Sequence, residues 1–395
     1  MFLLVIIYIA FISLGVPDSL IGSAWPAIYP EFNVPSEMVS YITMIISCCT
    51  VLSGFFSGKV LHLFGTAKVT AFSTAMTAAA MLGFSFAPNV LTMCILAIPL
   101  GFGAGAIDAG LNDYITLHYE AKHVNLLHCF YGIGVTCSPV LMSIALADNN
   151  QWRMGYRYAF IVQIAITVLL IVSLPLWKKP RALVGGEDNE TFEPKVLSFM
   201  EMTKISELRI MWVLVFLINS LECICGTWGG TFIAEAKQVS PDVAAQMISF
   251  FYIGLTIGRF SSGIISKKIF TWNRIYIGVA SIVIALLVMC LPLPAVFTAV
   301  AFGIIGFGIG PIYPNLLFLT PHNFGKEVSG SIMGTQIAFA YSSCIFTPIV
   351  FGWIQKGVGI DFYPMFLVIL FVLFVAFLCW EVKKLKGKGK YNPKV

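Results

Sequence analysis

The sequence predicts an all-α polytopic membrane protein with twelve transmembrane helices in two pseudo-symmetric six-helix bundles. Three observations carry that expectation: an apolar composition, a one-sided distribution of basic residues, and a motif that recurs at a fixed spacing. Of 395 residues, 58% are hydrophobic and only 11% are charged, where a soluble domain carries roughly 25% charged residues. At about 20 residues per membrane helix, about twelve helices use roughly 240 residues and leave no room for a separate globular domain. The formal charge of +5 is modest and gives no argument for nucleic acid; in a membrane protein its location matters more than its size.

Apolar runs between polar or Pro/Gly-containing breaks place helices near 2–30, 38–61, 69–88, 90–118, 123–147 and 157–177. A second set lies near 208–235, 242–266, 275–291, 294–320, 327–354 and 362–381. Between the sets, Lys178 to Glu207 contains Lys178-Lys179-Pro180-Arg181 and a Gly-Gly-Glu-Asp-Asn-Glu stretch, the one long polar segment of the chain. The expected organisation is an N-terminal bundle over 1–177, a cytoplasmic linker over 178–207, a C-terminal bundle over 208–381 and a basic cytoplasmic tail over 382–395. The N-terminus is apolar from Met1, with no basic region and no small-residue cleavage site before Pro17 and Asp18, so no removable signal peptide is expected. The ten cysteines fall within apolar stretches without metal-ligand spacing and are expected as buried packing residues. No metal and no cofactor are expected.

Basic residues are retained on the cytoplasmic side of a membrane. With the N-terminus inside, 19 of the 24 Lys and Arg residues fall on that side. Only Arg153, Arg157, Lys237 and Lys356 fall opposite, and Arg259 lies within the eighth helix. Both termini are therefore expected in the cytoplasm, with the protein a monomer in a plasma membrane, the bacterial inner membrane. The halves also match each other: Gly101-Phe-Gly-Ala-Gly105 recurs as Gly306-Phe-Gly-Ile-Gly310, and Ser57-Gly58 as Ser262-Gly263, both at an offset of 205. Two matches in one register point to duplication of a six-helix unit.

A carboxylate at the centre of a membrane helix costs about 2.5–3.5 kcal/mol on insertion scales, so one that is retained needs a polar cavity, a partner or a proton. Asp18, Asp108, Asp113 and Glu222 are in that situation. On the first helix Gly15, Asp18, Gly22 and Trp25 form one stripe. That stripe suits a sugar: glycines let a ligand approach, a carboxylate accepts from hydroxyls, and an aromatic plane stacks on a pyranose. A helix-packing seam is the alternative. On the fourth helix Gly101, Gly105, Asp108 and Asn112 share one face while Gly103, Ala106 and Gly110 share the opposite one, so one face can hold ligand and the other can pack. Asp108 and Asn112, four residues apart, are neighbours. Asn125, His128 and Gly132 share a face of the fifth helix, and Asn219, Glu222 and Gly226 a face of the seventh. Tyr313 and Gln336 add neutral polar groups, with a helix–helix hydrogen bond as the equal alternative for Gln336.

These residues resemble the major facilitator superfamily over essentially the whole chain, and within it the fucose permease and related hexose:proton symporter branch. The resemblance rests on Asp18 followed by Trp25-Pro26, Gly101-x-Gly-x-Gly-x-x-Asp108-x-x-x-Asn112, Asn125-Leu-Leu-His128-x-Phe130 and Tyr313-Pro314. It implies that Asp18 and Asp108 serve proton coupling and sugar recognition, and that His128 and Tyr313 contact sugar. The chain departs from the pattern after the second helix, where His62 stands in place of the usual Asp and Leu63 in place of a base.

The expected function is secondary active import of a small neutral polar solute, a hexose or deoxyhexose, by proton-coupled alternating access. The partners are then solute, protons and the lipid bilayer. A proton-driven exporter of lipophilic or cationic compounds and a transport-silent sugar sensor stay open as alternatives. An enzyme is not expected, because the sequence contains no Gly-x-Ser-x-Gly, no His-Glu-x-x-His and no phosphate-binding Gly-x-x-x-x-Gly-Lys-[Ser/Thr].

Overall fold

The computed structural model describes residues 2–118, 121–148, 151–178, 197–266 and 268–393. Among them no strand occurs. The helices of the first half are α1 (Phe2–Asp18), α2 (Leu20–Glu31), α3 (Met38–Phe64), α4 (Thr66–Ser85), α5 (Val90–His118), α6 (Ala121–Ala147) and α7 (Trp152–Ser173). A short α8 (Phe199–Thr203) precedes α9 (Ser206–Ala236), α10 (Pro241–Ile265), α11 (Thr271–Cys290), α12 (Ala295–Phe324), α13 (Lys326–Val358) and α14 (Tyr363–Gly387). Ten stretches of the described residues are long and apolar enough to cross a membrane, α1 and α2 together forming one of them. Among the described residues, Met38–Gly54 of α3 is a further, shorter apolar stretch. The chain is a multi-pass membrane protein.

The duplication read from the sequence extends to the helix boundaries. Residues 66 and 85 bound α4, and residues 271 and 290 bound α11, both ends displaced by 205. The starts of α5 and α12, and of α6 and α13, differ by the same number. Contacts divide the chain into two compact units, residues 1–185 with 226–252, and residues 186–225 with 253–395. Of the linker expected over 178–207, residues 179–196 lie outside the described residues. The remainder forms α8, opened by a capping box in which the Ser198 hydroxyl accepts from the Glu201 N–H and the Glu201 carboxylate accepts from the Ser198 N–H. At the other end α14 runs on through Glu381 to Gly387, and Lys388 pairs with Glu207 of α9 at 2.6 Å.

The first span, expected as one helix, is interrupted at Ser19, and proline chemistry accounts for the break. Pro17 has no N–H for the Ser13 carbonyl one turn earlier. That carbonyl accepts instead from the Gln163 side-chain amide of α7 at 3.1 Å, and the same nitrogen donates to Thr77 of α4 at 2.6 Å. Pro139 of α6 likewise frees the Val135 carbonyl, which takes the Ser19 hydroxyl at 2.8 Å. Both of these freed backbone acceptors thus find a side chain from elsewhere in the chain, as a site without water requires. Glycines set the remaining close approaches. A side chain at Gly15 would collide with the Tyr131 carbonyl and one at Gly134 with that of Ile12, so the backbones of α1 and α6 touch. In the first unit, a side chain at Gly22 of α2 would meet the Gly226 carbonyl of α9, and Trp228 donates its indole N–H to Ser40 at 3.0 Å.

The cysteine expectation needs correction. Cys223 of α9 and Cys344 of α13 are joined in a disulfide, and Cys137, Cys290 and Cys379 are exposed rather than buried. Neither surface exposure nor a pairing across 121 residues leaves a local signature in the sequence.

Candidate functional site

In the first unit α1 packs on both α5 and α6, which brings three polar clusters onto neighbouring helices. Asp18 is the last residue of α1, at the break, and is exposed. Its carboxylate accepts from the Tyr131 hydroxyl of α6 at 2.8 Å. Within α5 the Asn112 side-chain amide donates to the Asp108 carboxylate at 2.8 Å and to the Asp108 backbone carbonyl at 3.0 Å. Both residues are half-buried. His128 of α6 is exposed and meets the edge of Phe11 at 5.7 Å between ring centroids. Nearby, Phe130 stacks on Tyr8 at 4.9 Å, and the Tyr8 hydroxyl bonds His123 at 2.6 Å. The side chain of Asn125 lies outside the described residues.

The glycines on the Asp108 face have a different use from the one the periodicity suggested. Gly101 and Gly105 are pressed against the backbone carbonyls of Ile46 and Thr50 on α3, while Gly103 on the opposite side meets the Ser73 carbonyl of α4. Both faces of α5 pack at that level, and Thr50 and Ser53 bind the carbonyls of Gly101 and Phe102. Polar chemistry therefore begins one turn beyond the glycines, at Asp108. On α2, Trp25 is fully buried, with its indole N–H on the Ser36 carbonyl at 2.7 Å. Its ring is enclosed by packing.

In the second unit Glu222 of α9 and Arg259 of α10 form an ion pair, one guanidinium nitrogen donating to both carboxylate oxygens at 2.9 and 3.1 Å. Both are half-buried, with 20% and 17% of the side chain exposed, so the charges are largely out of water and each stabilises the other. Arg259 is a site residue that sequence reasoning did not select, although a base inside an apolar helix signals a partner acid. The Asn219 amide turns to its own helix, donating to the Val215 carbonyl at 2.9 Å. Tyr313 is half-buried on α12. Gln336 of α13 is fully buried and accepts from the Thr320 hydroxyl of α12 at 2.9 Å. This is a helix–helix hydrogen bond, and the Gln336 side-chain nitrogen makes none among the described residues. No group of three or more His, Cys, Asp or Glu that could hold a metal occurs among those residues.

Residues 7–348 match the family described as Major Facilitator Superfamily. The chain belongs to that superfamily. Membership makes it a transporter-type membrane protein rather than an enzyme and accounts for the duplicated helices. Among relatives, the Glucose/mannose transporter GlcP of Bacillus subtilis is 21% identical, with 88% of this chain and 86% of that protein aligned. Bypass of stop codon protein 6 of Saccharomyces cerevisiae is 22% identical over 97% of this chain and 83% of that protein. The crystal structure of the nucleoside transporter NupG superposes with a TM-score of 0.73 at 12% identity, covering 96% of this chain and 99% of NupG. At that identity the superposition speaks for the superfamily fold.

Proposed function

We propose that this superfamily member imports a small neutral polar solute, a hexose or deoxyhexose, coupled to protons by alternating access. The observation that carries the reading is the Asp108–Asn112 pair: a half-buried carboxylate and amide, oriented on each other inside a membrane helix. With the amide N–H groups turned to Asp108, the pair offers carboxylate and amide oxygens as acceptors for the hydroxyls of a polyhydroxylated ring. His128 and Tyr313 extend that hydrogen-bonding set. Likeness to a relative named as a glucose/mannose transporter favours sugar over other solutes. Trp25, Asn125, Asn219, Glu222 and Gln336 complete the proposed solute-binding set.

Coupling requires one group whose charge differs between outward-open and inward-open forms. Asp18 fills that role in this reading: it is exposed, lies at a helix break, and is held by a phenol hydroxyl. Asp108 recognises solute. The proposed setting is a monomer in a plasma membrane, bacterial inner membrane included, with six-helix bundles over 1–177 and 208–381 and both termini cytoplasmic.

Counterflow of labelled hexoses in vesicles containing the purified protein, at two pH values, tests the reading. Exchange of a hexose that is faster at the lower pH is expected. Binding without exchange would make the protein a sensor, and expression-dependent efflux of cationic dyes without hexose exchange would make it an exporter. Orientation is tested separately at Asn189-Glu190-Thr191, a glycosylation acceptor sequence in the linker. It should stay unmodified in a glycosylating host.

A further inference from the structure

In the first unit, α3 and α4 both pack closely on α5 through glycine contacts, and they join each other through the tight turn at Gly65, whose φ is +79°. Between them they leave a groove of about 520 Å³, within the roughly 300–1,000 Å³ of small-molecule sites. Phe56 and Phe64 of α3, Phe72 of α4, and Phe102 and Ala106 of α5 line it, and Lys68 lines the end nearest the turn. The rim rings face outward: Phe72 is 71% exposed and Phe64 62%. None of the residues proposed to bind solute lines this groove.

We infer that the groove binds an anionic phospholipid, with one acyl chain between α3 and α4 and the headgroup phosphate on Lys68. The apolar walls of a groove open on the outer surface of membrane-spanning helices suit a hydrocarbon chain. Lys68 supplies one cation, on an aliphatic stem long enough to follow the chain while its ammonium reaches the headgroup. The charge balance selects an anionic lipid over a zwitterionic one. From Met38 to Ala87 the sequence holds Lys59, His62 and Lys68 and no Asp or Glu. Asp108 and Asp113 of α5 are not among the described residues that line the groove, and that lining includes no Asp or Glu, so a headgroup that carries its own cation would find no carboxylate there to receive it. A lysine near a charged lipid surface contributes about 1 kcal/mol, equivalent to about a fivefold preference. The inference holds whichever solute is carried.

Native mass spectrometry of the full-length protein in detergent tests it, with dioleoyl phosphatidylglycerol, dioleoyl phosphatidylcholine and inorganic phosphate as separate titrants. The wild type should retain phosphatidylglycerol about fivefold more tightly than phosphatidylcholine. Lys68→Gln should bring the two lipids to parity, and Lys59→Gln, outside the groove lining, should leave the preference in place. Ala106→Leu, which narrows the groove, should weaken both lipids; Lys68→Gln sits on the exposed surface and decides the matter should Ala106→Leu fail to fold. Equal retention of the two lipids by the wild type would overturn the inference, as would a preference that survives Lys68→Gln. Lys68-dependent binding of inorganic phosphate without lipid discrimination would overturn it in favour of a simple anion site.

Discussion

Gly105 stands against the Thr50 carbonyl, and Gly310, 205 residues later, stands against the carbonyl of Leu255, itself 205 residues after Thr50. Gly103 against Ser73 and Gly308 against Gly278 repeat the relation. Applied to the polar residues, the same offset pairs unlike groups: Asp108 with Tyr313, Tyr131 with Gln336, Pro17 with Glu222, and Gly54 with Arg259. The first half thus has a carboxylate–amide pair where the second has a phenol in the same register, and the second has an ion pair where the first has proline and glycine. Close backbone packing recurs because a helix crossing tolerates only glycine there. The chemistry differs because packing constrains only the crossings and leaves the polar positions of the two halves free to diverge.

Packing variants should give the largest effects and test whether the halves share a scaffold. Gly105→Val and Gly310→Val each force a branched side chain onto a backbone carbonyl and should cost about 3 kcal/mol or more. Both should show as loss of monodisperse protein on thermal challenge. Gly54, with open space around its Cα, is the control: Gly54→Ala should be neutral or stabilise by up to about 1 kcal/mol through helix propensity. Tolerance of valine at Gly310 alone would break the equivalence.

The ion pair comes next. Glu222→Gln and Arg259→Gln should each destabilise more than half as much as the double variant, with a coupling of about 1–3 kcal/mol in a double-mutant thermal cycle. Additive effects would reduce the pair to a surface-like contact. At the equivalent positions 108 and 313, Asp108→Asn should weaken hexose binding at least tenfold and Tyr313→Phe about fivefold, since a hydrogen bond to a charged group contributes about 1.5–3 kcal/mol and a neutral one about 0.5–1.5. Isothermal titration with a hexose that exchanges in the counterflow assay measures both, and the reverse order would move recognition to the second half. The smallest effect is expected at Gln336→Met, a buried site where one amide hydrogen bond is exchanged for better apolar packing. Its stability change should stay within about 1 kcal/mol, and solute affinity should follow that of the wild type only if Gln336 serves helix packing.

Hydropathy made the helices legible, and α5 has the bounds that the sequence suggests, because burial in lipid leaves a continuous apolar run. The repeat was legible for the same reason that it packs: glycines at fixed spacing are visible without neighbours. What those glycines face was not. Gly101 and Gly105 share a stripe with Asp108, but periodicity cannot tell a ligand from α3 as the group that fills the space. The break at Ser19 was hidden in the same way, since Pro17 is visible while the Gln163 amide that compensates for it lies 150 residues from Ser13. The partner of Glu222 is 37 residues away on another helix, beyond any local pattern. Asp108–Asn112 could be read because its partners are one turn apart on the same helix.

The separation of roles between Asp18 and Asp108 is tested most directly by comparing pH-driven hexose accumulation with equilibrium exchange in vesicles containing Asp18→Asn. The assignment predicts that this variant exchanges hexose between equal pools and fails to concentrate it when a proton gradient is imposed. Accumulation against the hexose gradient by Asp18→Asn would contradict it.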